Sequence, residues 1–206
     1  SREIQTSAER KIMAKNKVTA NCKVLIIGGS AGSLHALMDI LPNLPAVNSF
    51  AFVIVLHRKH SDDSNLEELL KIKSNTPLKL IEDKMDFESG YMYVAPSNYH
   101  LLFEKNGTLA LDSSEKVNYS RPSIDVSFEA AAEIFGSNVI GILLSGSNAD
   151  GTAGLQAIQK AGGTVVVQNP TSADMPFMPN NAIKNMTPDY ILTTEEILNF
   201  ILLING

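Results

Sequence analysis

The sequence contains a single cysteine, Cys22, so no internal disulfide can form and a disulfide-built secreted scaffold is excluded. Cys22 stands just before an apolar run, where a free cysteine behaves as a small, inert, buried hydrophobe. No apolar stretch approaches the roughly 18 residues that a membrane-spanning helix requires, and the N-terminus is polar and charged rather than signal-like. Both features point to a cytoplasmic protein without membrane insertion. Basic residues are in deficit, 17 Lys and Arg against 22 Asp and Glu for a net charge of −5. Nucleic acid is therefore not an expected partner, because its backbone is bound through clustered cations. No Gly-Lys-Ser or Gly-Lys-Thr occurs, which excludes a P-loop. What the 206 residues do supply is 44% hydrophobic content with 19% charge, enough for one sizeable core and far from the composition of a disordered chain.

Residues 1–21 mix charges, Asn, Thr and Ala without a strong apolar face and read as a linker or N-terminal extension. Residues 22–206 read as one domain. Cys22 to Gly29 is an apolar run broken only by Lys23, as expected of a strand buried on both faces. Leu34, Leu37, Met38 and Leu41 then recur at helical spacing up to Pro42. Phe50 to Leu56 reads as a second buried strand, Ser64 to Ser74 as an amphipathic helix and Leu78 to Ile81 as a short strand. Tyr91 to Ala95 and His100 to Phe103, with Asn106-Gly107 before Thr108 to Leu111, predict an antiparallel excursion. Ser123 is placed to N-cap a helix ending at Gly136. Val139 to Leu144, Thr164 to Gln168 and Tyr190 to Leu192 read as strands, with a helix over Thr152 to Ala161. Thr193 and Glu196 form a capping box that opens a closing helix. Strands alternating with helices predict a three-layer α/β/α fold, a doubly wound and mostly parallel sheet whose ligands bind at the carboxyl ends of the strands.

Three of those ends carry reactive side chains: Ser30 after the first strand, His57 after the second and Asp150 after Val139–Leu144. A serine hydroxyl needs an imidazole to take its proton and a carboxylate to fix the imidazole tautomer. The run Gly28-Gly29-Ser30-Ala31-Gly32 satisfies Gly-x-Ser-x-Gly, a strained strand-to-helix turn that lifts a nucleophile clear of a sheet. The following helix aims unpaired N–H groups at the site, the Ala31 amide among them, as donors to an oxyanion. By itself the pentapeptide equally describes a tight glycine turn. A dinucleotide-binding turn fits less well, because the second and third glycines are missing and His57 stands where an acid would bind ribose. An α/β-hydrolase needs a histidine after the acid, and the four histidines are His35, His57, His60 and His100. The cluster His57, His60, Asp62 and Asp63 has metal-ligand residue types but no second cluster to complete a site, so no metal is expected. His35 reads as a packed or surface histidine, and His100 as the start of a hairpin strand.

These loops resemble the catalytic domain of the chemotaxis protein-glutamate methylesterase family (CheB-like), from about Val24 to Ile183. The resemblance rests on Ile27-Gly28-Gly29-Ser30-Ala31-Gly32, Val55-Leu56-His57 and the acid loop Leu144-Ser145-Gly146-Ser147-Asn148-Ala149-Asp150-Gly151. Further matches are Tyr93-Val94-Ala95-Pro96 with His100-Leu101, Arg121-Pro122-Ser123-Ile124-Asp125, and Met178-Pro179 before Ala182-Ile183. The resemblance implies hydrolysis of glutamyl methyl esters, and deamidation of glutamines, on the cytoplasmic helices of a methyl-accepting chemoreceptor, with no cofactor. It implies Ser30, His57 and Asp150 as catalytic triad, with Ala31, Ser147, Asn148 and Arg58 around the oxyanion and substrate. The chain departs from the family pattern at Ala31 (usually Thr), Ser147 (Met) and Asn148 (Gly), and has Arg58-Lys59-His60 in place of Met-Pro. Family members often carry a receiver domain. About 20 residues before the first strand are too few for one of roughly 100, so the expectation is a chain that is ungated, regulated by a receiver in trans, or missing one upstream. The alternatives are a catalytically impaired binding module on the same fold and a Rossmann-like nucleotide-binding protein.

Overall fold

The computed structural model describes residues 21–59 and 63–206; the expected linker at 1–21 falls almost wholly outside them. Strand β1 (Val24–Gly29) is buried at every position, as is β2 (Ala51–Leu56). Their branched aliphatic side chains fit a sheet covered on both sides, and such strands lack polar alternation because neither face meets water. Between them lie helix α1 (Ser33–Ile40) and a 3-10 turn at Leu41–Asn43 with Pro42 in its first turn. Helix α2 spans Asp63–Lys73, and β3 (Leu78–Lys79) and β4 (Met92–Val94) follow. A two-stranded antiparallel sheet comes next, β5 (His100–Phe103) and β6 (Leu109–Asp112). After α3 (Ile124–Phe135) come β7 (Val139–Leu143), α4 (Thr152–Lys160), β8 (Thr164–Gln168), α5 (Phe177–Asn185), β9 (Tyr190–Leu192) and α6 (Thr194–Asn205).

The main sheet has seven parallel strands in the order β3-β4-β2-β1-β7-β8-β9. Successive residues of β1 face opposite layers. Leu25 and Ile27 pack with Leu37 and Ile40 of α1 and with Phe200, Ile201 and Ile204 of α6. Val24 and Ile26 pack with Ile124 and Phe128 of α3, Leu155 and Ile158 of α4 and Met178 of α5. The expected α/β/α layering is thus observed. The chain grows from β1 toward β2 in one direction and from β7 toward β9 in the other, so the winding reverses at the centre of the sheet. Crossovers leave on opposite sides there and open a crevice above the carboxyl ends.

Three expectations need correction. Met92–Val94 belongs to the parallel sheet, paired with β2 and β3, rather than to the antiparallel excursion; that excursion is β5 and β6, with Asp86 bridged antiparallel to Thr108 beside them. Asn106-Gly107 does turn the hairpin, with Gly107 left-handed at φ +86° and its N–H donating to Glu104 O at 3.1 Å. Helix α5 was not foreseen, because Pro179 and three asparagines mask its apolar spacing; the proline stands in the first turn, where an amide has no helical partner anyway. Ser123 occupies the N-cap of α3 as expected, yet its side chain makes no cap bond. The Thr193–Glu196 capping box of α6 is present.

Candidate active site

The crevice at the winding reversal holds the three strand-end residues in one line. Ser30 Oγ lies 3.1 Å from His57 Nδ1, and His57 Nε2 lies 2.7 Å from Asp150 Oδ2. The parallel register continues beyond the strands and sets these distances: His57 N–H donates to Gly29 O (3.1 Å), and Ser30 N–H to Ser145 O (2.9 Å). A carboxylate accepts from Nε2, so the ring proton sits there and Nδ1 is left as the base facing the serine. The strained turn expected at the serine is located elsewhere. Ser30 is not among the positive-φ residues; Gly32 takes the left-handed position at φ +81°. A Cβ on Gly32 would come within 2.6 Å of Asp174 Cβ and 2.7 Å of Ser145 Oγ, so two separate constraints call for glycine.

Asp150 is fully buried. Its Oδ2 also accepts from the Ile124 amide (2.7 Å), and its Oδ1 from the Asp125 amide (3.0 Å), Ser123 Oγ (3.1 Å) and Asn118 Nδ2 (2.9 Å). The acid therefore caps α3 from outside, which is why Ser123 donates to Asp150 instead of accepting from its own helix. Asp125, in the first turn of α3, returns the service to α4: its Oδ1 accepts from the Gly151 (2.9 Å) and Gly154 (2.7 Å) amides. Each carboxylate thus sits at the positive end of the other's helix. Burial pushes Asp125 up to about 6, helped by the nearby charge of Asp150. Burial acts the same way on Asp150, but the His57, Asp125, Ile124 and Asn118 hydrogen bonds outweigh it and hold that carboxyl below its ordinary range.

The remaining sequence-derived candidates are placed as follows. Ala31 and Ser147 are exposed on the two loops that flank the serine. Asn148 Nδ2 reaches to 3.5 Å of His57 Nδ1, and its Oδ1 accepts from the Asp150 amide. Asn148 has no positive φ, so this departure from the family's glycine carries no left-handed strain. Arg58 is not presented as a free cation: its side chain is 2% exposed, and its two terminal nitrogens Nη1 and Nη2 donate to Glu67 of α2 at 2.5 and 2.9 Å. His60 and Asp62 lie outside the described residues, and with them the candidate metal cluster. His35 is exposed and pairs with Asp174 at 3.1 Å. Cys22 is buried, and burial pushes its thiol up to about 12, far from the thiolate needed for reactivity.

Sequence reasoning missed Asn118, Ser123, Asp125, Ser145 and His100 as parts of this site. Buried Ser145 ties the serine loop to the acid loop, donating to Ala31 O (2.8 Å) while accepting from the Met175 amide (2.8 Å). Buried His100 accepts at Nδ1 from the Ser123 amide and bonds Glu115 O through Nε2. The run Arg121-Pro122-Ser123-Ile124-Asp125 was visible as a motif, but nothing local said that it would meet a loop 25 residues away. Two clefts flank His57. One of about 340 Å³ is lined by Ser30, Leu34, Leu56, Arg58 and Leu66 among others. The other, of about 610 Å³, is lined by Lys59, Lys116, Tyr119 and Arg121 among others.

A serine hydroxyl, an imidazole and a buried carboxylate in hydrogen-bonded series, open to a cleft at the switch point of a parallel sheet, define the site of a serine hydrolase. Comparison with known proteins narrows this class. A family model described as CheB methylesterase matches residues 25–201, and the chain belongs to that family. A Leptospira interrogans protein, provisionally named as a protein-glutamate methylesterase/protein-glutamine glutaminase, is 43% identical over 177 residues, covering 86% of this chain and 92% of its own length. A Thermotoga maritima protein-glutamate methylesterase/protein-glutamine glutaminase is 33% identical over 184 residues, 88% of this chain and 54% of that relative. The crystal structure of the T. maritima CheB methylesterase catalytic domain superposes with a TM-score of 0.84 at 32% identity, covering 89% of this chain and 98% of that one.

Proposed function

We propose that this protein hydrolyses glutamyl methyl esters, and deamidates glutamine side chains, on the cytoplasmic helices of a methyl-accepting chemoreceptor. The observation that carries the reading is the Ser30–His57–Asp150 series at 3.1 and 2.7 Å. His57 Nδ1 takes the proton as Ser30 Oγ attacks the side-chain carbonyl, and Asp150 steadies the imidazolium. The same proton then passes to the leaving methoxide or amide nitrogen, releasing methanol or ammonia and leaving a glutamyl ester on Ser30. Water, deprotonated by His57, hydrolyses that ester and restores the serine. The Ala31 and Ser147 amides and the Asn148 side-chain amide are the donors assigned to the oxyanion. Arg58 serves the substrate as a wall rather than as a charge, because Glu67 holds its guanidinium between the two clefts.

The distances do not favour the impaired-module alternative, which would leave His57 out of reach of one partner. The site assembles from this chain's own side chains and calls on no cofactor. Among the described residues no helix is long and apolar enough to cross a membrane, and the action assigned to the protein is in the cytoplasm, with a receiver domain as its regulator in trans or upstream. Lys59, Lys116 and Arg121 beside His57 suit a polypeptide that bears carboxylates near the ester. The test is methanol release from methylated receptor. Ser30→Ala should abolish it in a folded protein, and unchanged release would remove Ser30 from the mechanism.

A further inference from the structure

We propose that Asn118 is a positioning residue whose side-chain amide, shared between Asp125 and Asp150, holds the acid of the triad against His57. The inference rests on the hydrolase reading above and adds a residue to it. Asn118 Nδ2 donates to Asp125 Oδ2 at 2.8 Å and to Asp150 Oδ1 at 2.9 Å. An amide nitrogen has two hydrogens, and here each is directed at a different carboxylate. Two buried carboxylates in one network repel each other, and a donor set between them is what permits the pair to stay close.

The consequence for Asp150 follows from the rest of the network. Asp125 grips the amide of Gly151, the residue next to Asp150, and that of Gly154 in the first turn of α4, which follows directly. Asn118 therefore acts on the triad acid twice, directly at Oδ1 and through the carboxylate that fixes its backbone. The Asn118 side chain bonds the two carboxylates rather than Ser30 or His57, so its part is to position and not to react.

A purely local explanation for the asparagine exists. Val117 and Ser120 exchange both backbone hydrogen bonds at 3.0 Å, with Asn118 at φ +52° and Tyr119 at φ +63°. That is a two-residue turn of the type that favours Asn for its left-handed backbone. The side chain distinguishes the two explanations: it leaves its own turn and bonds residues 7 and 32 positions away. Tyr119 on the same turn points outward, 98% exposed, and lines the larger cleft.

Asn118→Gly separates backbone from side chain, because glycine suits the left-handed turn and lacks only the amide. Asn118→Asp keeps the shape and the tolerance of that turn while replacing the donor by a third carboxylate. Expected for Asn118→Gly is a loss of roughly tenfold or more in kcat, the scale of one charge-assisted hydrogen bond, with KM within about twofold. Asn118→Asp should lose more. In the resting enzyme, the low-field proton resonance of the His57 Nε2–H···Asp150 bond should move in both variants, a signature that a merely structural role would leave in place. Thermal unfolding confirms the fold, and either variant alone suffices if the other does not fold. Wild-type kcat, a loss confined to KM, or a lost kcat with the resonance unmoved each overturns the proposal. The resonance is read without substrate, so it still tests Asn118 if Ser30→Ala shows that the hydrolase reading is wrong.

Discussion

Replacing Asp150 by asparagine changes one atom at the centre of the network, and its outcome can be worked through bond by bond. In one orientation the new carbonyl takes the place of Oδ1 and keeps the Asn118, Ser123 and Asp125 donors. Its NH2 then faces His57 Nε2 and the Ile124 amide, both donors in the wild type. The reverse orientation sets the NH2 against those three donors and the Gly151 amide as well, and is worse. In the better arrangement His57 must turn a lone pair toward residue 150, so its proton moves to Nδ1 and Ser30 loses its base. By analogy with serine-protease triads, kcat should fall roughly 10³–10⁴-fold. KM should hold, because Asp150 is buried beneath the histidine.

Stability should fall as well. The substitution leaves the buried Ile124 amide unpaired, about 1–3 kcal/mol, and removes an anion from the start of α3, about 1 kcal/mol more. The sum of about 2–4 kcal/mol lowers Tm by roughly 5–15 °C for a domain of this size. The pH dependence has a definite sign. The folded-state pKa of Asp150 is depressed, so its contribution is present above the ordinary carboxylate pKa and lost as pH falls through the folded value. Asp150→Asn should lack that acid-side loss. Methanol release and thermal melts against pH measure both effects. A folded Asp150→Asn enzyme with kcat within tenfold of wild type would falsify the tautomer argument.

Two further outcomes follow from buried charge. Glu67→Ala removes the carboxylate partner of the nearly inaccessible Arg58 side chain while its bond to Ala95 O remains, and should cost about 3 kcal/mol in chemical denaturation, whereas Arg58→Met with Glu67→Leu should recover most of it; a single variant as stable as the wild type would show the pair to be dispensable. Asp125 runs opposite to Asp150, because its folded pKa is raised to about 6. Between its unfolded value near 4 and about 6 the folded state holds the extra proton, so this group's contribution to stability declines as pH rises through that window. Asp125→Asn should flatten that decline in Tm against pH, and an unaltered profile would place the titration elsewhere.

Sequence alone carried the parallel sheet a long way. β1, β2, β7 and β8 are short, branched, uniformly buried runs, and their pattern is a local consequence of having no wet face. It carried Ser30, His57 and Asp150 too, because reactive residues at strand ends share one edge of a parallel sheet whatever the strand order. β4 was harder to place. Three residues from a mixed apolar and polar stretch carry too little pattern to choose between a parallel neighbour and a hairpin, and burial against β2 and β3 decides it. Pro179 and the asparagines hid α5, since helix periodicity is a statement about spacing and not about which first-turn amides go unused.

The serine turn, the histidine and the acid were thus determined by residues close in the chain, together with the grammar of alternating strands and helices. Tertiary structure alone decided that Gly32, rather than Ser30, takes the left-handed backbone. It decided that Arg58 is spoken for by Glu67 and that Asp150 and Asp125 cap each other's helices with Asn118 between them. These are contacts between segments 7 to 32 residues apart or more, made by buried polar groups that must find partners once water is gone. For Asp125, Asp150 and Asn118, which partner each one finds depends on the packing of α3 against α4, and no local pattern of residues encodes that packing.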